Sequence, residues 1–377
     1  MYFKVKCSFL FLFYYIIATT ISPLHAKNSA TDIILGQYVM SNKNLFTQEP
    51  LLKKRLLNEI TYFWQQGVFS SFLGVDSTRI NFAYFNQSNA QECIVIVNGR
   101  NESYVKYKEL SYDLSQQGYH VFLFDHRGQG LSERLLSSSH KGYVNKFQDY
   151  VSDLSSFITN IVKPNCANKP YLLGHSMGSA ISARYLQDNP NVIQAAALSS
   201  PMFGFSAAGI PKFIAKSLIK GLHAINQLTD NTPWYFLGHQ GYQKSHFTNN
   251  VLSQSELRFK IFNALFEKVP EIQLGGVTLN WLVEGIKAQD EIFAQLEALS
   301  TPIIVLQAGK DTVIDNVAQD DFCERLHQLH PQSCPNGKAI KVNGALHELF
   351  FEKDEYRNQA LTEVITWFNK QNKFTTK

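Results

Sequence analysis

The chain has 377 residues, of which 45% are hydrophobic and 18% charged, and a formal net charge of +4. This is too apolar for a disordered chain and long enough for one large domain with insertions or two smaller ones. No internal period and no dense Lys/Arg block occur, so repeat architectures are excluded and nucleic acid is not expected as a ligand. A membrane surface stays open as a partner.

The first 26 residues, MYFKVKCSFLFLFYYIIATTISPLHA, read as a signal peptide. Lys4 and Lys6 precede an apolar run from Cys7 to Ile21, then come the helix-breaking Ser22-Pro23 and a small residue, Ala26, at the cleavage position. Export to a periplasm or to the outside of the cell follows. The alternative is an uncleaved anchor, although the run is short for a membrane span. Cys7 leaves with the leader, and Cys93, Cys166, Cys323 and Cys334 remain. Four cysteines allow three pairings. The favoured pairs are Cys323–Cys334, which closes a short loop, and Cys93–Cys166, each of which stands near the start of a strand. Four buried thiols are the alternative. No CxxC or Cys/His cluster suggests a metal.

From Phe72 onward short apolar runs alternate with helical periodicity, the pattern of a mostly parallel sheet with crossover helices. An opening pair, SFLGVD and RINFAYF, is followed by strands CIVIVNG (93–99), HVFLFDH (120–126), PYLLGHS (170–176), AAALSSP (195–201), PIIVLQAG (302–309) and AIKVNGA (339–345). Amphipathic stretches such as YVKYKELSYDLSQQG and FQDYVSDLSSFITNIV lie between them. The class is α/β, an eight-stranded sheet with helices on both faces. About a hundred residues separate the AAALSSP and PIIVLQAG strands, far more than an ordinary connection. The expected organisation is a core in two parts, 27–201 and 298–377, with an inserted helical cap at 202–297. In the cap, GIPKFIAKSLIKGLHAINQL puts Ile210, Phe213, Ile214, Leu218, Leu222 and Ile225 on one helical face and Lys212, Lys216 and Lys220 on another. That face either packs on the core or meets an anionic lipid surface.

Residues 172–180 read LLGHSMGSA. A buried strand runs into GHSMG and SAISARYLQDN then carries helical periodicity, which makes a nucleophile elbow with Ser176 at its tip. Gly174 and Gly178 are required where the strained turn packs closely on its neighbours. A serine hydroxyl needs a base and the base an orienting acid, in the chain order Ser, acid, His. His347 follows the last strand and is the base. Asp311 stands nearest the end of PIIVLQAG and is preferred as the acid; Asp315 is the alternative, or else the cap of the helix that follows. The oxyanion needs two backbone donors, the N–H of Met177 and one from the loop CIVIVNGRNES, where Gly99 permits a tight turn and Arg100 offers its amide. The Arg100 side chain is either a solvated loop cation or a partner for a substrate phosphate.

In order and spacing, NGRNESYVKYKELSYDLSQQGYHVFLFDHRGQGLS, GHSMGSAIS, LSSPMFG, LQAGKDTVIDN and GALHELFFEKDEYR resemble the bacterial lysophospholipases related to monoacylglycerol lipases, in the α/β-hydrolase superfamily. The likeness runs from about Phe63 to Phe368. It implies Ser176 as nucleophile, Asp311 as acid, His347 as base, Met177 and Arg100 as oxyanion donors, and a helical cap over an acyl pocket. Asn98-Gly99 stands where the monoacylglycerol lipases carry His-Gly, a departure that fits the lysophospholipase branch. The expected activity is cofactor-free release of a fatty acid from a lysophospholipid. Alternatives are a monoacylglycerol lipase or general esterase, an acyltransferase, and a noncatalytic lipid- or partner-binding module.

Overall fold

The computed structural model describes residues 46–372 except 89, 91 and 207–210. The expected leader, residues 1–26, lies outside the described residues, as does Ile210. Two short helices, α1 (Glu49–Leu57) and α2 (Glu59–Gln65), open the described chain. Then come β1 (Val68–Leu73), β2 (Arg79–Phe85), β3 (Glu92–Val97), α3 (Lys108–Gln116), β4 (Tyr119–Phe124), α4 (Phe147–Phe157), β5 (Tyr171–His175), α5 (Met177–Asp188) and β6 (Ala196–Ser199). A helical segment carries α6 (Lys212–Thr229), α7 (Glu256–Lys268) and α8 (Leu279–Ala294). The chain closes with β7 (Ile303–Ala308), α9 (Asn316–Leu329), β8 (Ile340–Val342) and α10 (Asp354–Asn372).

The eight strands form one sheet in the order β1-β2-β4-β3-β5-β6-β7-β8. β1 and β2 are antiparallel to their neighbours and the other pairs are parallel. The central strands are apolar throughout because both sheet faces are covered and successive side chains enter opposite layers. Val95, Val97, Leu172, Leu198 and Val305 pack into the layer with α4, α5, α8 and α9. Ile94, Ile96, Leu173, Ala197 and Leu306 pack into the layer with α3 and α10.

The first strand begins three residues earlier than its apolar pattern suggested. The reason is the turn: Asp76 and Ser77 take φ of 53° and 58°, and the Gly74 N–H donates to the Thr78 carbonyl at 2.8 Å. Gly74 and Val75 therefore belong to the hairpin loop rather than to the strand. The structure joins Cys93 to Cys166 and Cys323 to Cys334 as disulfides.

In α6 the apolar face does not pack on the core. Phe213 is 70% exposed, Leu218 51%, Ile225 50% and Leu228 87%. The opposite side is the anchored one. Asn226 is buried, donates to the Thr232 carbonyl at 3.0 Å and accepts from the Trp234 N–H at 2.8 Å, while Lys216 pairs with Asp290 of α8 at 2.6 Å. By contrast α7 is clamped to the core: Arg258 reaches Glu109 of α3 at 2.8 Å and Asp354 of α10 at 2.9 Å. No helix among the described residues is long and apolar enough to cross a membrane.

Candidate active site

Ser176 sits between β5 and α5 with φ 52° and ψ −116°. That backbone costs a non-glycine residue about 1–3 kcal/mol, and the surroundings must impose it. The Ser176 N–H donates to the Ser199 carbonyl on β6 at 2.9 Å, and its own carbonyl accepts from the Met202 N–H at 3.1 Å. The flanking glycines permit the close packing this requires. A Cβ on Gly178 would come 2.1 Å from the Val97 carbonyl oxygen and 2.4 Å from that of Asn98; one on Gly174 would come 2.8 Å from Ser179 Cα.

His347 lies in the loop after β8, which turns at Gly344 with φ 86°. Bonds from several elements hold that loop. The Ser200 hydroxyl donates to the His347 carbonyl at 2.9 Å, the Glu348 N–H to the Leu252 carbonyl at 2.7 Å, and the Leu346 N–H to Glu352 Oε1 at 2.9 Å. The imidazole is thereby placed with Nε2 3.0 Å from Ser176 Oγ and Nδ1 2.7 Å from Asp311 Oδ2. The other Asp311 oxygen accepts from the N–H groups of Val313 at 2.9 Å and Ile314 at 3.1 Å. Burial alone would raise the Asp311 carboxyl, but the hydrogen bond and charge of His347, with the two amides, bring its pKa below the ordinary value. An ionised Asp311 keeps the proton on Nδ1, which leaves Nε2 as acceptor for the serine proton. Asp315 takes no part here: it caps α9, accepting from the Val317 N–H at 3.1 Å.

Met177 is the first residue of α5, so its N–H has no acceptor inside the helix. The loop after β3 faces the elbow, but Gly99 serves it differently from expectation. Gly99 is outside the left-handed region, and the positive φ falls on Asn101 at 60°. What Gly99 provides is clearance, because a Cβ there would lie 2.9 Å from His175 Nδ1 and 3.0 Å from Glu102 Oε2. The DHRGQG stretch supports this loop from beneath. Asp125 accepts from Asn98 Nδ2 at 3.2 Å, the Ser103 hydroxyl at 2.7 Å and the Tyr104 N–H at 2.6 Å. Gln129 Nε2 donates to the Gly99 carbonyl at 2.8 Å. The Arg100 side chain is half-buried rather than solvated: Nη1 donates to the Gly275 carbonyl at 3.0 Å and the guanidinium lies 5.8 Å from the centroid of the Trp281 ring.

Sequence reading missed a buried charge cluster behind the site. Glu102 accepts from the Gly99 N–H at 2.5 Å, the Tyr107 hydroxyl at 2.5 Å and Lys106 Nζ at 2.7 Å, and faces His175 Nδ1 at 3.2 Å. Lys106 also reaches Glu348, the residue after His347, at 2.7 Å. Burial opposes every charge in the cluster. Even so, Lys106 and His175 hold Glu102 well below the usual carboxylate range, and Glu102 raises His175. The available signal was a histidine closing β5 and a glutamate shortly after β3, both next to apolar strand residues. Among the described residues no group of His, Cys, Asp and Glu could hold a metal ion.

A mostly parallel eight-stranded sheet with serine, aspartate and histidine meeting beyond its carboxyl ends defines an α/β-hydrolase. The chain belongs to the Hydrolase_4 family, described as serine aminopeptidase, S33, whose sequence model matches residues 88–354. It is 38% identical to Lysophospholipase L2 of Escherichia coli (strain K12) over 331 residues, covering 88% of this chain and 96% of that one. It is 26% identical to Monoglyceride lipase of Rattus norvegicus, covering 78% and 88%. Among solved structures, a soluble variant of monoglyceride lipase from Saccharomyces cerevisiae in complex with a substrate analog shares the fold, with a TM-score of 0.59 at 18% identity and coverage of 81% and 96%.

Proposed function

We propose that this chain is a serine carboxyl-ester hydrolase that removes the acyl chain of a lysophospholipid. The observation that carries the reading is the continuous hydrogen-bonded line from Ser176 Oγ through His347 to Asp311. Ser176 attacks the ester carbonyl as His347 Nε2 takes its proton, and the N–H groups of Met177 and Arg100 receive the oxyanion. His347 then protonates the departing alcohol, and water, deprotonated by the same nitrogen, releases the fatty acid. No cofactor enters these steps. The lysolipid assignment draws its support from the 38% identity to a lysophospholipase across most of both chains.

The exposed apolar face of α6 favours docking on a lipid surface, which would put the site where single-chain lipids partition. The two disulfides support an oxidising compartment, in keeping with export. A monoacylglycerol lipase is the second reading, motivated by the similarity to Monoglyceride lipase.

The test uses purified protein beside Ser176→Ala, incubated with lysophosphatidylcholine, lysophosphatidylethanolamine and a monoacylglycerol, with released fatty acid measured by mass spectrometry. Serine-dependent release favouring the lysolipids is expected. Preference for the monoacylglycerol would move the assignment to a neutral lipase, and absence of release from all three would overturn the hydrolase reading.

A further inference from the structure

We infer that the Arg100 guanidinium is an anion-binding group that seats the phosphate of the lysolipid headgroup beside the ester under attack. The inference rests on the ester-hydrolase reading above and adds the element that selects the substrate.

The first ground is charge. The four buried arginines among the described residues are all neutralised: Arg127 by Asp153 at 2.6 Å, Arg184 by Glu291 at 3.3 Å, Arg258 by Glu109 at 2.8 Å and Arg357 by Asp113 at 2.7 Å. Arg100 has no carboxylate partner among the described residues, although burial lowers its pKa to about 10. A guanidinium with that pKa is still cationic at neutral pH, and a partly desolvated cation without a counter-ion is a standing cost that a bound anion relieves.

The second ground is order. Bonding to the Gly275 carbonyl and packing over Trp281 hold the side chain in place, yet use only one of the five donors of its fork. Gly142 lies against the same side chain, since a Cβ there would come within ordinary contact of Nη1, at 3.4 Å. Contacts lead from this point to the nucleophile. The Trp281 ring lies 6.0 Å from Phe205, Gly285 of the same helix approaches both Phe205 and Met202, and the Met202 N–H bonds the Ser176 carbonyl.

The third ground is reach. In a lysophospholipid the ester carbonyl carbon and the phosphorus are separated by six bonds, roughly 6–7 Å, which is about the distance an extended arginine puts between its backbone N–H and its guanidinium. One residue can therefore offer its amide to the carbonyl oxygen and its side chain to the phosphate. A planar fork suits a phosphate better than a point charge does. The same cation disfavours the free α-ammonium of a peptide substrate.

The experiment measures kcat/KM for lysophosphatidylcholine and for a monoacylglycerol of the same acyl chain, using the full chain as wild type, Arg100→Gln and Arg100→Lys. The ratio of the two constants is expected to fall at least tenfold in Arg100→Gln and to recover in part in Arg100→Lys. A merely structural role would lower both constants together; an unchanged ratio overturns the inference. Wild type inactive on both substrates would instead refute the underlying hydrolase reading. In a second arm glycerophosphocholine and inorganic phosphate compete with the lysolipid. Competitive inhibition by glycerophosphocholine that weakens in Arg100→Gln supports a headgroup site, whereas inhibition by inorganic phosphate alone assigns Arg100 to a free anion and overturns the substrate role.

Discussion

Replacing Gly178 by alanine tests the coupling between the elbow and the loop after β3. The added Cβ would meet backbone rather than a yielding side chain: the Val97 oxygen at 2.1 Å, the Asn98 oxygen at 2.4 Å and the Val97 carbonyl carbon at 2.6 Å. Moving the first of these contacts from 2.1 Å to a tolerable 3.0 Å demands a displacement of about 0.9 Å in close-packed surroundings. Overpacking of this kind costs about 1–3 kcal/mol. The displaced segment carries Asn98 to Arg100, so the Arg100 N–H proposed as second oxyanion donor would move with it, and a misplacement of about 1 Å lowers kcat by roughly 100-fold. Urea unfolding gives the first quantity and steady-state hydrolysis of a soluble ester the second. A Gly178→Ala protein with wild-type midpoint and wild-type kcat would refute the reasoning. Lowered stability with unchanged kcat would show that α5 absorbs the strain and that the loop is not coupled to it.

Asp311→Asn should lower kcat by roughly 10³–10⁴, because the amide no longer holds the required imidazole tautomer. Asp315→Ala should leave kcat near wild type and remove about 1 kcal/mol of stability through the lost helix cap; the reverse pattern would exchange their roles. Replacing Cys93 and Cys166 together by alanine frees a connection of 73 residues, and chain entropy predicts a loss of about 4 kcal/mol in urea unfolding. For His175, burial alone would lower the pKa, but the charge and hydrogen bond of Glu102 outweigh it and the net shift is upward. A raised folded value means the stabilisation is fully present below about pH 6.5 and is lost as pH rises through that higher value. Imidazole resonances followed by NMR should show His175 titrating above 6.5, with the pH slope of stability flattened in His175→Asn. Titration below 6.5 would contradict the pairing.

Ser176, Asp311 and His347 were readable because this fold places reacting groups just beyond strand ends, and β5, β7 and β8 are marked by apolar runs. The disulfide partners were readable for a related reason: Cys93 and Cys166 lie near the starts of β3 and β5, which are adjacent in the sheet. Elements at the margin were harder. β1 is an exposed edge strand whose pattern does not alternate, and in α1 and α2 only Leu52, Ile60, Phe63 and Trp64 are buried, too few to print a periodic face.

The sequence by itself pointed to the sheet, the elbow and the three side chains that meet as Ser176, His347 and Asp311, since these depend on local backbone preference and on apolar patterning. The tertiary structure alone decided what depends on partners distant along the chain. Glu102 meets His175 across 73 residues and Lys106 meets Glu348 across 242, and nothing local announces either pairing. The same holds for α6 and Arg100. Periodicity shows that α6 has an apolar face, but the anchoring of Asn226 and Lys216 turns that face outward. A lone arginine in a loop reads as solvated until the Gly275 carbonyl and the Trp281 ring enclose it. Side-chain chemistry is written residue by residue, whereas the direction a face looks and the charges that meet within it are set only when the strands take their order and the helices dock.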